Sequence, residues 1–249
     1  MPAGAVVRPA NPGKCRTRAS VALLLALIIP LLCGLLVAPS AAAPKEPSAQ
    51  SRFEQIYRAA QSLQVSFLET YEENGRIVRS EAGTAYFRRP GRMRFEYAAP
   101  EKNVFLVDGK TAWFYVPADH TATRVLAKES SDWKTPLALL AGEARLSRIC
   151  SHVEPSAAEK PITPDGQVLH CTLKGSGTQD SGRVFLEIAP LSGQLMRVLI
   201  RDSGGVTVDF HFKNWDFNPP LPETLFRFLP PLGTAIVNGE LPSAIAAVP

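Results

Sequence analysis

Residues 88–97 read RRPGRMRFEY, and this stretch decides the fold. Its apolar members Met93, Phe95 and Tyr97 alternate with charged residues, a period of two that predicts a strand with one buried and one exposed face. A turn at Asp108-Gly109 then leads to a second aromatic segment. Neither face of the predicted strand carries a group typical of catalysis.

The two-residue period continues on both sides of this stretch. Upstream, the turn Glu73-Asn74-Gly75 separates two alternating segments, 65–71 and 84–87, and predicts a hairpin. A later hairpin is predicted at Ser203-Gly204-Gly205. The other predicted strands are 89–97, 103–107, 111–116, 184–188, 195–201 and 206–215. Consecutive hairpins of this kind predict an antiparallel sheet.

A helix is predicted before the sheet. It follows a polar lead-in at residues 43–52, and Ser51 with Glu54 three positions later is typical of a helix N-terminus. Its apolar positions run from Phe53 to Leu63 at helical spacing.

A second, short helix is predicted within the sheet at Pro136–Ala141. Thr135 is its predicted cap and Gly142 its end. The helix is strongly apolar, so we expect it to cover another part of the fold. One helix before the sheet and one inserted in it give the class α+β.

The first 42 residues predict an export signal. A basic segment without acidic residues precedes the apolar segment 19–38, and the small residues Ser40 and Ala42 place cleavage after Ala42. Export predicts a periplasmic location. The apolar segment is also long enough to cross a bilayer, so an uncleaved anchor is the alternative. We expect one domain at 53–238 and a loose tail at 239–249.

The charge of the expected mature chain is balanced. The full sequence has 27 Lys and Arg against 23 Asp and Glu, and removing the four basic residues of the leader leaves 23 against 23. This balance argues against nucleic acid as a partner.

Histidine-based catalysis has little support in the sequence. Of the 4 histidines, His211 shares a strand face with Asp209, but such pairs are ordinary on the outer face of a sheet. Motifs of hydrolases, phosphate loops and dinucleotide sites are missing from the sequence. We therefore predict a protein that is not an enzyme and needs no cofactor.

Cys150, His152, His170 and Cys171 have two interpretations. They could form a zinc site, but neighbouring strand residues point to opposite faces, so His170 and Cys171 cannot easily converge on one ion. In an exported protein, a disulfide between Cys150 and Cys171 is favoured over a metal.

The chain resembles the outer-membrane lipoprotein carrier family, LolA, from about Phe53 to Val237. Together and in order, the matching motifs are specific, whereas each alone would be weak. They are Arg89-Pro90-Gly91 with Phe95 and Tyr97, Val107-Asp108-Gly109-Lys110 with Trp113 and Tyr115, Thr135-Pro136-Leu137 with Leu139-Leu140, and 226–233, FRFLPPLG.

The resemblance implies an incomplete, strongly curved antiparallel β-barrel with helices and loops as a lid over an apolar cavity. It implies that Arg89 ties the lid shut through hydrogen bonds to loop carbonyls. The residues expected at the cavity are Met93, Phe95, Tyr97, Trp113, Leu137, Leu139 and Leu140, the three leucines belonging to the lid helix. Ala235 replaces an acidic residue common in the family, and the cysteine pair is an addition to its pattern.

The function that the resemblance implies is carriage of lipoproteins between the two membranes. The implied partners are acylated lipoproteins, an inner-membrane lipoprotein-releasing transporter and an outer-membrane acceptor, with the carrier a monomer. The alternatives are a lipid-sensing or membrane-anchored lipid-binding protein on the same half-barrel, and then a periplasmic enzyme.

Overall fold

The described residues form one sheet of twelve strands in a computed structural model that covers 46–127, 137–142, 144–174, 183–239 and 241. The expected leader and the predicted cap Thr135 with Pro136 lie outside these ranges. The strands are β1 (Ser62–Glu73), β2 (Arg76–Arg88), β3 (Arg92–Ala99), β4 (Val104–Val107), β5 (Thr111–Val116), β6 (Thr121–Leu126), β7 (Cys150–Pro155), β8 (Gln167–Leu173), β9 (Arg183–Ile188), β10 (Leu195–Arg201), β11 (Val206–Phe217) and β12 (Ala235–Asn238).

The sheet is antiparallel except at one edge, and it does not close. Its order is β12-β6-β5-β4-β3-β2-β1-β11-β10-β9-β8-β7, so the first strand pairs with both β2 and the late strand β11. Of the twelve described strands, only β12 runs parallel to its neighbour, β6. This curved, unclosed sheet with few helices confirms the predicted α+β half-barrel.

Apolar and polar residues alternate along each central strand, and the apolar ones form a concave face. In β3, Met93, Phe95 and Tyr97 are buried, while the residues between them are partly exposed. The Asn74-Gly75 turn between β1 and β2 has φ of 51° and 78°, the left-handed conformation that two-residue hairpins prefer. The predicted hairpin is thus confirmed.

In the described ranges, three short helices pack on the concave side: α1 (Ala49–Ala59), α2 (Ala138–Ala141) and α3 (Leu146–Ile149). The first begins earlier than predicted, because Ser48 rather than Ser51 is its N-cap and accepts a hydrogen bond from the Ser51 amide at 3.1 Å. It also ends earlier, and Leu63 belongs to β1. Among the described residues, no helix has the length and apolarity needed to cross a membrane.

The C-terminal segment crosses the convex face. A 3₁₀ turn at Glu223–Phe226 is tied to β3 by Arg94, whose Nη1 donates to the Leu225 carbonyl at 3.2 Å. The chain then adds β12 beside β6. Leu241, in the segment expected to be a loose tail, is buried in the main core, while 242–249 lie outside the described residues.

Cys150 at the start of β7 is bonded to Cys171 in β8, as predicted. This bond uses both cysteines, so the alternative of a four-ligand zinc site is wrong. We expect the double variant Cys150→Ala with Cys171→Ala to fold but to lose about 3 kcal/mol of stability, because a bond across 21 residues restricts the unfolded chain. Denaturant titration of the oxidised protein and the variant measures the loss. A midpoint unchanged by the double substitution would contradict it.

Candidate functional site

An aromatic cluster fills the centre of the concave face. Phe67 in β1 lies with its ring centroid 5.3 Å from that of Phe95 and 5.2 Å from that of Tyr97, both in edge contacts. Phe95 also meets Phe87 at 5.7 Å and Phe105 at 6.2 Å. Edge-to-face packing of this kind adds to the stabilisation that burial provides.

Six of the predicted cavity residues come together on this face. Met93, Phe95 and Tyr97 project from β3, and all are at most 9 % exposed. Leu137, Leu139 and Leu140 are buried in the same core cluster, where α2 covers the strands. These side chains form a closed, apolar layer between sheet and helices.

Trp113 lies on the other side of the sheet, which corrects the prediction. Its ring packs 4.9 Å from Phe228 of the C-terminal segment, and the Arg124 guanidinium lies 5.7 Å from its centroid. The neighbours Ala112 and Phe114 are the β5 residues that face the core cluster. Apart from Thr111, both sets of alternating residues in β5 are apolar or aromatic, so the sequence could not assign the face.

Arg89 connects the sheet to the end of α1. Its Nη1 donates to the Arg58 carbonyl oxygen at 2.7 Å, and its Nη2 donates to the Tyr57 carbonyl oxygen. The last carbonyls of a helix lack internal partners, so a guanidinium satisfies them well. The acceptors therefore belong to α1, not to a loop as expected. Next to it, the Gly91 amide donates to the Ala141 carbonyl of α2 at 2.9 Å.

The helices are also joined to each other and to β10. Glu54 in α1 accepts a hydrogen bond from the Leu146 amide of α3 at 3.1 Å. The Tyr57 hydroxyl accepts one from the Leu195 amide at 3.0 Å, and burial raises the pKa of this phenol. The Glu54 hydrogen bond is partly buried, and the Tyr57 hydrogen bond is fully buried between helix and sheet.

Two carboxyl groups lie on the inward face at one end of the aromatic cluster, and the sequence analysis missed them. Glu69 is 3 % exposed and accepts a hydrogen bond from the Tyr97 hydroxyl at 3.0 Å. Glu81 lies opposite it on β2 and pairs with Arg79 at 3.0 Å. A signal was available, because Glu69 has the same strand parity as Val65, Phe67 and Tyr71.

Burial, followed by repulsion from Glu81, raises the pKa of Glu69 to about 7, although the Tyr97 hydrogen bond and Arg79 oppose the rise. Between its ordinary pKa and about 7, Glu69 therefore keeps its proton in the folded protein and loses it in the unfolded chain. Because of Glu69, we expect the free energy of unfolding to fall by up to about 3 kcal/mol between pH 4.5 and 7. Above that range, this group should cause no further change.

Glu69→Gln should remove that part of the pH slope and should make the protein more stable than wild type at pH 8. Urea titrations at several pH values measure it, with Glu72→Gln, a partly exposed carboxylate of the same strand, as the control. Parallel curves for Glu69→Gln and wild type would contradict the assignment.

On the convex face, charged side chains form hydrogen bonds with one another and with a neighbouring loop. Asp209 accepts two hydrogen bonds from Arg197, at 2.7 and 2.6 Å, and lies 3.2 Å from His211. Although burial opposes it, hydrogen bonds from His211 and Arg197 lower the Asp209 pKa.

Glu187 accepts hydrogen bonds from the Ile162 and Thr163 amides at 2.8 and 2.9 Å and so holds the loop before β8. In the described part of the chain, no group of three His, Cys, Asp or Glu side chains is arranged to hold a metal ion.

Comparison with known proteins adds a family. The family model described as "Outer membrane lipoprotein carrier protein LolA" matches residues 58–229. An outer-membrane lipoprotein carrier protein of Chromobacterium violaceum is 28% identical over 214 residues, 86% of this chain and 98% of that protein. A protein with the same name from Albidiferax ferrireducens is 30% identical over 65% of this chain and 75% of that protein. The crystal structure of a LolA superfamily protein from Nitrosomonas europaea, 14% identical, superposes with a TM-score of 0.41 over 73% of this chain and 98% of that one.

Proposed function

The chain belongs to the LolA family of outer-membrane lipoprotein carriers, and from this membership we propose how it works. It shields the acyl chains of lipoproteins between its concave sheet face and its helices while they move through the periplasm. The single observation that best supports this proposal is the inward aromatic face of Phe67, Phe95 and Phe210, covered by three short helices.

The energetics of lipid transfer require such a shield. Each methylene exposed to water costs about 0.8 kcal/mol, so two or three acyl chains cost tens of kcal/mol to expose. The concave face offers a large apolar area that the helices cover in the closed state. When the helices move away, acyl chains can replace them against the same aromatic side chains.

Arg89 is proposed as the latch of this opening. Its guanidinium holds the last turn of α1 through the carbonyls of Tyr57 and Arg58, and the adjacent Gly91 amide holds α2. These contacts favour the closed state, so they reduce the net affinity for cargo. A moderate affinity allows the carrier to release its cargo to a tighter acceptor.

The proposed cellular arrangement follows from the family. An inner-membrane lipoprotein-releasing transporter supplies the cargo, and an outer-membrane acceptor receives it. We propose that residues 1–42 are an export signal removed after Ala42, that 53–238 are the carrier domain, and that the carrier acts as a monomer. Sequencing the N-terminus of the exported protein tests the processing.

The carrier proposal is tested by native mass spectrometry of protein purified from a periplasmic fraction. We expect a co-purifying acylated polypeptide whose release by detergent restores the mass of the processed chain. A second measurement is transfer of an acylated lipoprotein from inner-membrane vesicles to outer-membrane vesicles in the presence of the purified protein. Absence of both a bound acylated species and transfer would contradict the proposal.

A further inference from the structure

The C-terminal segment passes from one face of the sheet to the other. On the convex face, Phe228 packs with its ring centroid 4.9 Å from that of Trp113. The chain then pairs with β6 at the sheet edge as β12, whose four residues are exposed. Beyond this edge, Leu241 is 5 % exposed and belongs to the main core cluster on the concave face. Residues 235–241, here called the strap, therefore cross the edge of the half-barrel.

The burial of Leu241 is an exception in this part of the chain. From Arg227 onward, Leu241 is the one described residue that is buried, whereas the leucines Leu229 and Leu232 of the same segment are exposed. A residue held across the sheet edge loses conformational freedom, and the burial of its side chain offsets that cost. The strap thus places a single apolar side chain in the layer between sheet and helices.

A short ladder attaches the strap to the sheet. The pairing of β12 with β6 is parallel, an arrangement slightly less stable than antiparallel pairing. The Gly239 amide donates to the Arg124 carbonyl at 3.3 Å, and the Arg124 side chain donates to the Asn238 side-chain oxygen at 2.6 Å. On its other side, β6 pairs with β5 over all six of its residues. The strap can therefore detach while β6 stays in the sheet.

Leu241 lies in the layer that the carrier proposal assigns to acyl chains. The same core cluster contains Leu137 of the lid and Phe95 and Phe210 of the inward aromatic face. Val125 of β6 also packs against this cluster. A leucine side chain and an acyl chain are both driven out of water by the same effect, and one apolar place cannot hold both.

We propose that the strap competes with the cargo: Leu241 occupies the β6 edge of the concave layer in the empty carrier, and an arriving acyl chain displaces it. This inference rests on the proposed carrier function. Displacement exposes Leu241 and opens the short β12–β6 ladder, so it lowers the net affinity for cargo. Because the strap belongs to the same chain, its high effective concentration returns it to its place when the cargo leaves. The strap therefore favours release and covers apolar surface of the empty protein.

Binding of parinaric acid, a naturally fluorescent fatty acid, to the full chain tests this competition. We expect Leu241→Ser to bind the probe about threefold to tenfold more tightly than wild type, because a competitor in place lowers the binding-competent fraction. Leu232→Ser is the matched control, since Leu232 is fully exposed in the same segment and the chemical change is identical. This control should bind as wild type does. A chain ending at Gly239, which lacks Leu241 and keeps β12, should bind as tightly as Leu241→Ser.

Hydrogen exchange followed by mass spectrometry measures the displacement itself. Addition of parinaric acid to wild type should accelerate amide exchange in residues 235–241, where the Gly239 amide loses its acceptor, and should leave exchange in β5 unchanged. A leucine with a purely structural role predicts the opposite result. A ligand that binds the folded state stabilises it, so exchange in the strap would then become slower.

The possible results separate this inference from the carrier function. Lower stability of Leu241→Ser with unchanged probe affinity would show a permanent core contact and would overturn the inference. Equal tightening in Leu232→Ser, or slower exchange in the strap of loaded wild type, would overturn it as well. In each of these cases wild type still binds the probe, so the carrier function stands. If neither wild type nor any variant binds parinaric acid, the carrier function fails and this inference fails with it.

Discussion

Met93→Glu is expected to abolish binding of acyl chains while the sheet stays folded. Met93 is 4 % exposed on the concave face, paired in register with Phe87 and Val107. An unpaired carboxylate at this place costs several kcal/mol in the closed state. If the helices can move away, the new carboxylate reaches water in the open state. The sheet then stays folded, but the closed state no longer forms.

Circular dichroism and binding of a fluorescent fatty-acyl probe measure the two parts of this result. Met93→Leu keeps the apolar volume and should retain both fold and probe binding, because volume-conserving exchanges cost little. A largely unfolded Met93→Glu variant would show that this face is a permanent core. A folded variant with normal probe binding and normal lipoprotein transfer would show that Met93 faces neither core nor cargo.

Arg89→Leu is expected to change lipoprotein loading or release far more than it changes stability. The variant loses two hydrogen bonds to the end of α1, a cost of about 1–3 kcal/mol in a half-buried place. The lost hydrogen bonds destabilise only the closed state, so the ratio of open to closed protein rises by about tenfold or more. Thermal unfolding and the two steps of vesicle transfer measure the two effects.

The control for Arg89→Leu is Arg92→Leu. Arg92 lies three residues away, and its Nη1 is 3.5 Å from the exposed Glu223 carboxylate, an ion pair worth at most about 1 kcal/mol. Its loss should leave both transfer steps near the wild-type rates. Unchanged transfer in Arg89→Leu would remove Arg89 from the mechanism, and equal defects in the two variants would point to general loss of charge at this end of β3.

The sequence by itself determined the central strands and most of their faces, but not β6 and β12 at one edge of the sheet. Met93, Phe95 and Tyr97 alternate with charged residues, and the cost of burying unpaired charge leaves only one way to orient such a strand. Asn74-Gly75 specified its turn through left-handed φ values. The isolation of Cys150 and Cys171 in an expected exported chain was enough to predict their bond.

Only the tertiary structure decided the features that depend on distant partners. Trp113 and Ala112 could each have faced inward, and it is Phe228 on the convex face that holds the tryptophan outside. Strand parity could have placed Glu69 inward, but its hydrogen-bond partner Tyr97, 28 residues away, is seen only in the folded protein.

The contacts that hold α1 against the sheet also depend on long-range packing. The acceptors of Arg89 belong to a helix 31 and 32 residues earlier in the chain. Alternation is a local property set by backbone geometry, so it can be read along the chain. Which side chains meet across the sheet is set by packing and pairing between distant segments, so only the folded protein reveals it.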